Sequence, residues 1–426
     1  MNELCAALLA GIAVCASVLP LANAAAATET TLYSFCSQAN CADGSHSPAS
    51  LVAVNGTLYG TTSTGGANCP SGSGCGTLFS VDSATGAETV LHSFGGGGGN
   101  GSFPYANVIE VKGILYGTTS SGGAYGGGTV FAYDIAGGTE SVVYAFCGTG
   151  FPVCTDGLGA AGGLIYSHHM LYGTTPYGGA NCETQAGGGC GTVFAVNPAT
   201  GAETVLYSFC NEANCADGST PYAGLVDLGG MLYGTTVDGG ANDRGTVFAI
   251  DPATGAESVV HSFCSQSDCA DGAYPEAGLT AGRGRQRGIL YGGTVEGGGA
   301  SQCYPDGCGV IFALEPATGA ENVLFSGWGA GSDLIDVKGS LYGTGAGGGT
   351  YDMGIVFAIS TKTGAETTVY SFCSEQKDGH CTDGASPFAG VAYANGTLYG
   401  TTYYGGIYNQ DFCYGGCGTV FALTNF

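Results

Sequence analysis

Basic residues are scarce in this chain. Lys and Arg together number 8 in 426 residues, against 33 Asp and Glu, for a formal net charge of −25. Phosphate recognition runs on Lys and Arg, so this balance argues against a nucleic-acid partner, and on the same ground against an anionic membrane surface. Charged residues of both signs make up only 10%. Signatures of catalysis are missing too. None of the many Gly-Gly pairs is followed by Lys-Ser/Thr and a helix, as a phosphate loop requires. There is no Gly-x-Ser-x-Gly elbow and no His-Glu-x-x-His pair. Beyond residue 22 no stretch is long and apolar enough to span a bilayer.

What remains is rich in glycine, at 82 residues, yet 44% hydrophobic. A chain with that much apolar surface can bury a core. Residues 4–22 are an apolar run, and "ANA" at 22–24 offers a small-residue cleavage site. Residues 1–24 therefore read as a secretory signal peptide, leaving one domain over 25–426. The first residues, "MNEL", lack Lys and Arg, so an uncleaved anchor helix is the alternative. Cys15 follows "IAV", a poor match to a lipoprotein box.

Two of the 20 cysteines lie in that leader. The other eighteen fall into nine close pairs: Cys36 with Cys41, Cys69 with Cys75, Cys147 with Cys154, Cys182 with Cys190, Cys210 with Cys215, Cys264 with Cys269, Cys303 with Cys308, Cys373 with Cys381, and Cys413 with Cys417. An even count, local pairing and an export signal point to disulfides. Zinc needs four converging ligands, usually from Cys-x2-Cys pairs; these gaps are irregular, and no metal is expected. Each clip stabilises by roughly 2 kcal/mol on the loop-entropy argument.

"LYG" recurs at 58, 115, 171, 232, 290, 341 and 398, each copy followed by a Gly-rich stretch and a "GTVFA"-like run. Six copies continue through a turn into "VLYSF" or a variant, whereas the last stops at "GTVFALTNF". Its missing phrase stands at the other end, as "ETTLYSF" over 29–35. A repeat of this length signals an array of supersecondary units. One unit reads as four short strands; in the fourth these are 222–228, 231–236, 245–251 and 258–263. Seven such units predict an all-β fold, a seven-bladed propeller of four-stranded blades with the last blade closed by the N-terminal strand.

The unit "LYGTT…GG…GTVFA…GAETVLYSF" resembles the GloVer repeat of bacterial choice-of-anchor tandem-repeat proteins, over essentially everything after the leader. The resemblance implies an exported or surface protein, often with a sorting segment at its C-terminus, and no established activity. Here the chain ends at Phe426 with no hydrophobic tail or sorting motif. A soluble secreted or periplasmic protein is therefore expected, with cell-surface association left open.

In an up-and-down blade the first and third connections share one face. The second connection and the link to the next blade share the other, and all nine cysteine pairs fall there. Binding sites sit on loops held by a rigid scaffold, so this clipped face is the expected functional one. Tyr105, Tyr222 and Phe388 follow prolines near the expected channel mouth, and the last unit's loop carries Tyr403, Tyr404, Tyr408, Phe412 and Tyr414. Exposed tyrosines suit sugar rings or protein surfaces; the plainer reading is that they fill space beneath the loops.

Other features read as structural. The "DG" aspartates Asp43, Asp156, Asp217, Asp271 and Asp383 suit turns, since one per loop falls short of a calcium site. Glu29, Glu88, Glu140, Glu203, Glu257, Glu321 and Glu366 each open a fourth strand and predict an acidic, solubilising ring around the plain face. Set one to a blade, they are too widely spaced for glycosidase chemistry. His168 and His169 share a turn, and Arg283, Arg285 and Arg287 cluster in another. The reading is an exported, non-catalytic binding or interaction protein with a glycan or protein partner and no cofactor. The alternatives are a polysaccharide-acting propeller enzyme and a structural cell-envelope protein.

Overall fold

The computed structural model describes residues 27–67, 74–95, 99–151, 153–181, 190–299, 308–327, 331–409 and 413–426. Seven four-stranded antiparallel sheets stand as blades around one axis, forming a seven-bladed β-propeller. The first blade comprises Val52–Val54, Thr57–Thr62, Thr77–Asp82 and Glu88–Ser93, from the axis outward. Five more follow in chain order. The seventh takes Ala392–Ala394, Thr397–Thr402 and Thr419–Thr424 from the C-terminal end, and Thr28–Ser34 from the N-terminal end as its outer strand. Thr28 pairs with Thr424 and Ser34 with Thr419, in antiparallel register. The split repeat is thus the ring's clasp: the N-terminal strand covers the edge that Thr419–Thr424 would otherwise leave open.

The refrain "LYGTT" has a physical reason at nearly every letter. Leu58 is buried in the core of the first blade. Gly60 lies opposite Phe79 on the neighbouring strand. A Cβ on Gly60 would come within 2.6 Å of the Phe79 ring, so the ring occupies the place a side chain would take. The first threonine bridges blades: Thr61 Oγ1 donates to the Ala106 carbonyl at 3.0 Å, and Thr174 Oγ1 to Ala223 at 2.8 Å. The second pairs within the blade, Thr62 with Thr77 at 2.8 Å and Thr402 with Thr419 at 2.9 Å. These hydroxyls are buried, and each has a partner, as burial demands.

Between blades the core is aromatic. Phe35, Phe94, Phe146, Phe209, Phe263 and Phe372, each just past an outer strand, are fully buried. Each meets a phenylalanine of the next blade: Phe35 meets Phe79 at 5.0 Å, and Phe209 meets Phe248 at 5.0 Å, both edge to face. The closing seam between the seventh and first blades is built like the rest, since Thr401 Oγ1 also reaches the Ser47 and Ala49 carbonyls, at 3.2 Å each. The seam between the fifth and sixth blades differs. Gly293 stands where the bridging threonine belongs, and Gly327 where the phenylalanine belongs.

Two expectations about the strands need adjusting. The stretch 222–228 forms its ladder only over Val226–Leu228. Tyr222, Ala223 and Gly224 instead line the axial opening. A short extra hairpin, Gln376–Lys377 with His380–Cys381, sits in the loop between the sixth and seventh blades. Among the described residues no helix is long and apolar enough to cross a membrane.

Candidate functional site

The loops of the clipped face are held from below. Bonds join Cys36 to Cys41, Cys147 to Cys154, Cys210 to Cys215, Cys264 to Cys269, Cys373 to Cys381 and Cys413 to Cys417. Cys75, Cys190 and Cys308 are disulfide-bonded as well; Cys69, Cys182 and Cys303 lie outside the described residues. The "DG" aspartates do more than shape turns. Asp43, fully buried, accepts the Tyr33 hydroxyl at 2.7 Å and the Ser37 amide at 2.8 Å. Asp217 does the same for Tyr207 and Asn211, and Asp383 for Tyr370 and Ser374. Each aspartate ties the start of its loop to the outer strand.

The fourth-strand glutamates are not the freely solvated ring expected from sequence. Burial between blades pushes Glu29, Glu88, Glu140, Glu203, Glu257 and Glu321 up to about 7. The aspartate of the preceding blade raises several further, Asp43 acting on Glu88 and Asp156 on Glu203. Glu88, Glu203 and Glu257 reach Tyr33, Tyr144 and Tyr207 of the preceding blade, which a strand-by-strand reading does not show. His168 and His169 occupy their turn at positive φ, with side-chain partners Ser167 and Tyr166. The arginine turn folds into a short 3-10 segment, Gly284–Gln286, and Arg283 donates its backbone N–H to Asp336 at 3.0 Å.

On the axis a channel opens at the clipped face, walled by the residues that precede each innermost strand. Its lumen encloses about 300 Å³. Five of the seven blades place a glycine or a serine around it, and Asn107 and Asp333 break the pattern. Asp333 is exposed to the lumen; partial desolvation by the channel walls pushes its carboxyl above the usual range, and the Gly278 amide, donating to it at 2.7 Å, pulls the other way.

The rim divides into two arcs. On one, Tyr105, Tyr222 and Phe388 stand exposed at 39%, 42% and 48%, joined by Tyr177 at 39%. Phe388 meets Tyr403 at 5.4 Å, edge to face, and Tyr403 packs on Tyr404 and His46 at 4.9 and 4.7 Å. Tyr222 lies within electrostatic reach of Tyr105, Tyr177 and Glu276. The second arc is acidic: Glu276 shares a cavity with Phe388, and Glu296 and Asp238 lie near enough to add to the upward push its enclosure gives it.

The last loop's aromatics therefore separate. Tyr403 and Tyr404 join the rim cluster. Tyr408 stacks on His380 at 4.0 Å, and Tyr414 stands 85% exposed nearby. Phe412 lies outside the described residues. Sequence reading missed Tyr177, His46, Glu276, Asn107 and Asp333. The signal was present as departures from the repeat: Glu276 follows Pro275 as Tyr105 follows Pro104, and Asp333 and Asn107 take positions that are glycine in four blades.

The fold and the repeat together define a class, the propellers built from a tandem Gly-rich unit. Within it the chain belongs to the Gloeobacter/Verrucomicrobia repeat family, which matches residues 23–210 and 154–304. No curated protein matches. Among solved structures it is similar to an oligogalacturonate lyase in complex with manganese, at 14% identity, with 94% of this chain and 96% of that one covered and a TM-score of 0.51. It is also similar to a chain of a mitotic checkpoint complex, at 11% identity, 99% and 98% coverage and a TM-score of 0.51. A quinohemoprotein alcohol dehydrogenase from Comamonas testosteroni gives 13% identity, 94% and 76% coverage and a TM-score of 0.50. At such identities the likeness is of fold alone.

Proposed function

We propose that this chain is an exported binding protein that holds a glycan at the channel mouth of its clipped face. The carrying observation is the set of exposed rings from separate blades, Tyr105, Tyr222 and Phe388, around an axial opening, with Tyr177 near Tyr222. Aromatic faces take the C–H surface of a sugar, while tyrosine hydroxyls and carboxylates take its hydroxyl groups. Glu276, with its acidic neighbours, stands beside Tyr222 and Phe388 as an acceptor. The disulfides and buried aspartates preorganise these loops, which lowers the ordering cost of binding.

The test is a glycan array with the purified domain, followed by titration calorimetry on any hit. Replacing Tyr222 and Phe388 together by alanine should weaken binding about 10- to 100-fold at roughly 1 kcal/mol per ring. Affinity unchanged by that pair, or no glycan bound at all, overturns the reading. Release of reducing sugar from a bound polysaccharide would replace it with an enzyme.

A further inference from the structure

Sequence spacing gives no reason to group any cysteine pair with another. The fold does so at one place among the described residues. Cys36 and Cys41 follow the N-terminal strand, and Cys413 and Cys417 precede the C-terminal one. Their four sulfur atoms all lie within 4.8 Å of one another. All four residues are buried, at 6%, 0%, 2% and 0% exposure. Two backbone bonds fix the pairs together: the Phe35 amide donates to the Gly418 carbonyl at 3.0 Å, and the His46 amide to the Cys417 carbonyl at 2.9 Å. The Asn409 side-chain amide points at Cys36 Sγ from 3.5 Å.

In the structure these sulfurs form two disulfides. We propose that, once both are reduced, the four cysteines make a site for one divalent ion of the zinc class, which then bridges the two ends of the chain. A tetrahedral tetrathiolate with Zn–S of about 2.3 Å needs sulfurs about 3.8 Å apart. No two sulfurs are more than about 1 Å beyond that, on a backbone already pinned, and the sulfurs within each pair are free to part once their bond is reduced. Each disulfide takes two electrons and two protons from a dithiol, which leaves as its own disulfide. The four thiols then release four protons as the metal binds, and the site carries a net charge of −2. The Asn409 amide is placed to donate to one thiolate, the outer contact that metal–thiolate sites use. The local clips and the metal are thus alternative closures of the same corner, one acting within each end and one across both.

The experiment uses the full mature chain, reduced anaerobically with a dithiol and freed of reductant, with Co²⁺ as the probe. Expected are one high-affinity equivalent showing thiolate-to-cobalt charge transfer and tetrahedral d–d bands, its displacement by Zn²⁺, and no such spectrum from the oxidised chain. The signal should vanish in the Cys413→Ser, Cys417→Ser double variant and persist in Cys264→Ser, Cys269→Ser. Circular dichroism follows the fold throughout, and alkylation mapping identifies the thiols that Zn²⁺ protects. A cobalt spectrum indifferent to the 413/417 variant overturns the proposal, as does protection that falls on other cysteines. A reduced chain that loses its β-sheet signal and does not regain it with Zn²⁺ overturns it equally.

Discussion

Replacing Phe35 by alanine tests whether the clasp is a true blade seam. Phe35 belongs to the N-terminal segment, is fully buried, and sits edge-on to Phe79 of the first blade at 5.0 Å. Its backbone bond to Gly418 survives the substitution, so the change isolates the ring. Removing a buried phenyl group costs its transfer free energy, about 1.5–3 kcal/mol, and the cavity left behind brings the total to about 3–5 kcal/mol. Phe209 meets Phe248 in the same geometry at an interior seam, so Phe209→Ala should lose the same amount. Urea unfolding of both variants, followed by circular dichroism and tryptophan fluorescence, measures the pair. Matching losses are expected. A loss below about 1 kcal/mol for Phe35→Ala beside the full loss for Phe209→Ala would refute the reasoning, because it would mean the terminal strand frays independently of the ring.

Four further outcomes are expected. Stability should fall as pH rises from about 4.5 to about 7: the six inter-blade glutamates reach about 7 when folded against 4.5 when free, so the folded state binds the extra protons in that window and loses that advantage above it. Glu203→Gln should flatten its share of this slope and stabilise at pH 8 by about 1 kcal/mol once solvent screening is allowed for; thermal melts at pH 5 and 8 check the sign. Asp43→Ala strands the Ser37 and Gln38 amides and removes one partner of the Tyr33 hydroxyl and should cost about 2–4 kcal/mol, with hydrogen exchange rising first over 36–46. Gly293→Thr supplies the bridging hydroxyl that the seam between the fifth and sixth blades lacks and should stabilise by about 1 kcal/mol, read as a higher urea midpoint.

Closure was legible in sequence because a repeat that stops early at one end and starts late at the other leaves only one place to finish. The purpose of the glycine in "LYGTT" was not. It depends on strand register, which sets Gly60 opposite Phe79, and register is invisible until the sheets are aligned. The channel mouth was legible where an aromatic follows a proline, as at Tyr105, Tyr222 and Phe388. It was not legible at Tyr177, which comes from a different loop, between the second and third strands of its blade, yet lies near Tyr222. The glutamates were misjudged because their burial comes from the neighbouring blade. Periodicity along one strand reports in and out of its own sheet, and says nothing of what an adjacent sheet covers.

The pairing of Thr28 with Thr424 also bears on how the molecule is made. During synthesis the first strand emerges with no partner and waits for nearly the whole polypeptide before its ladder can form. Every intermediate length carries an unsatisfied edge at its leading end and another at its growing end, the condition that invites pairing between chains. Assembly therefore finishes where it began, and the meeting of Thr28–Ser34 with Thr419–Thr424 decides whether everything between them is kept.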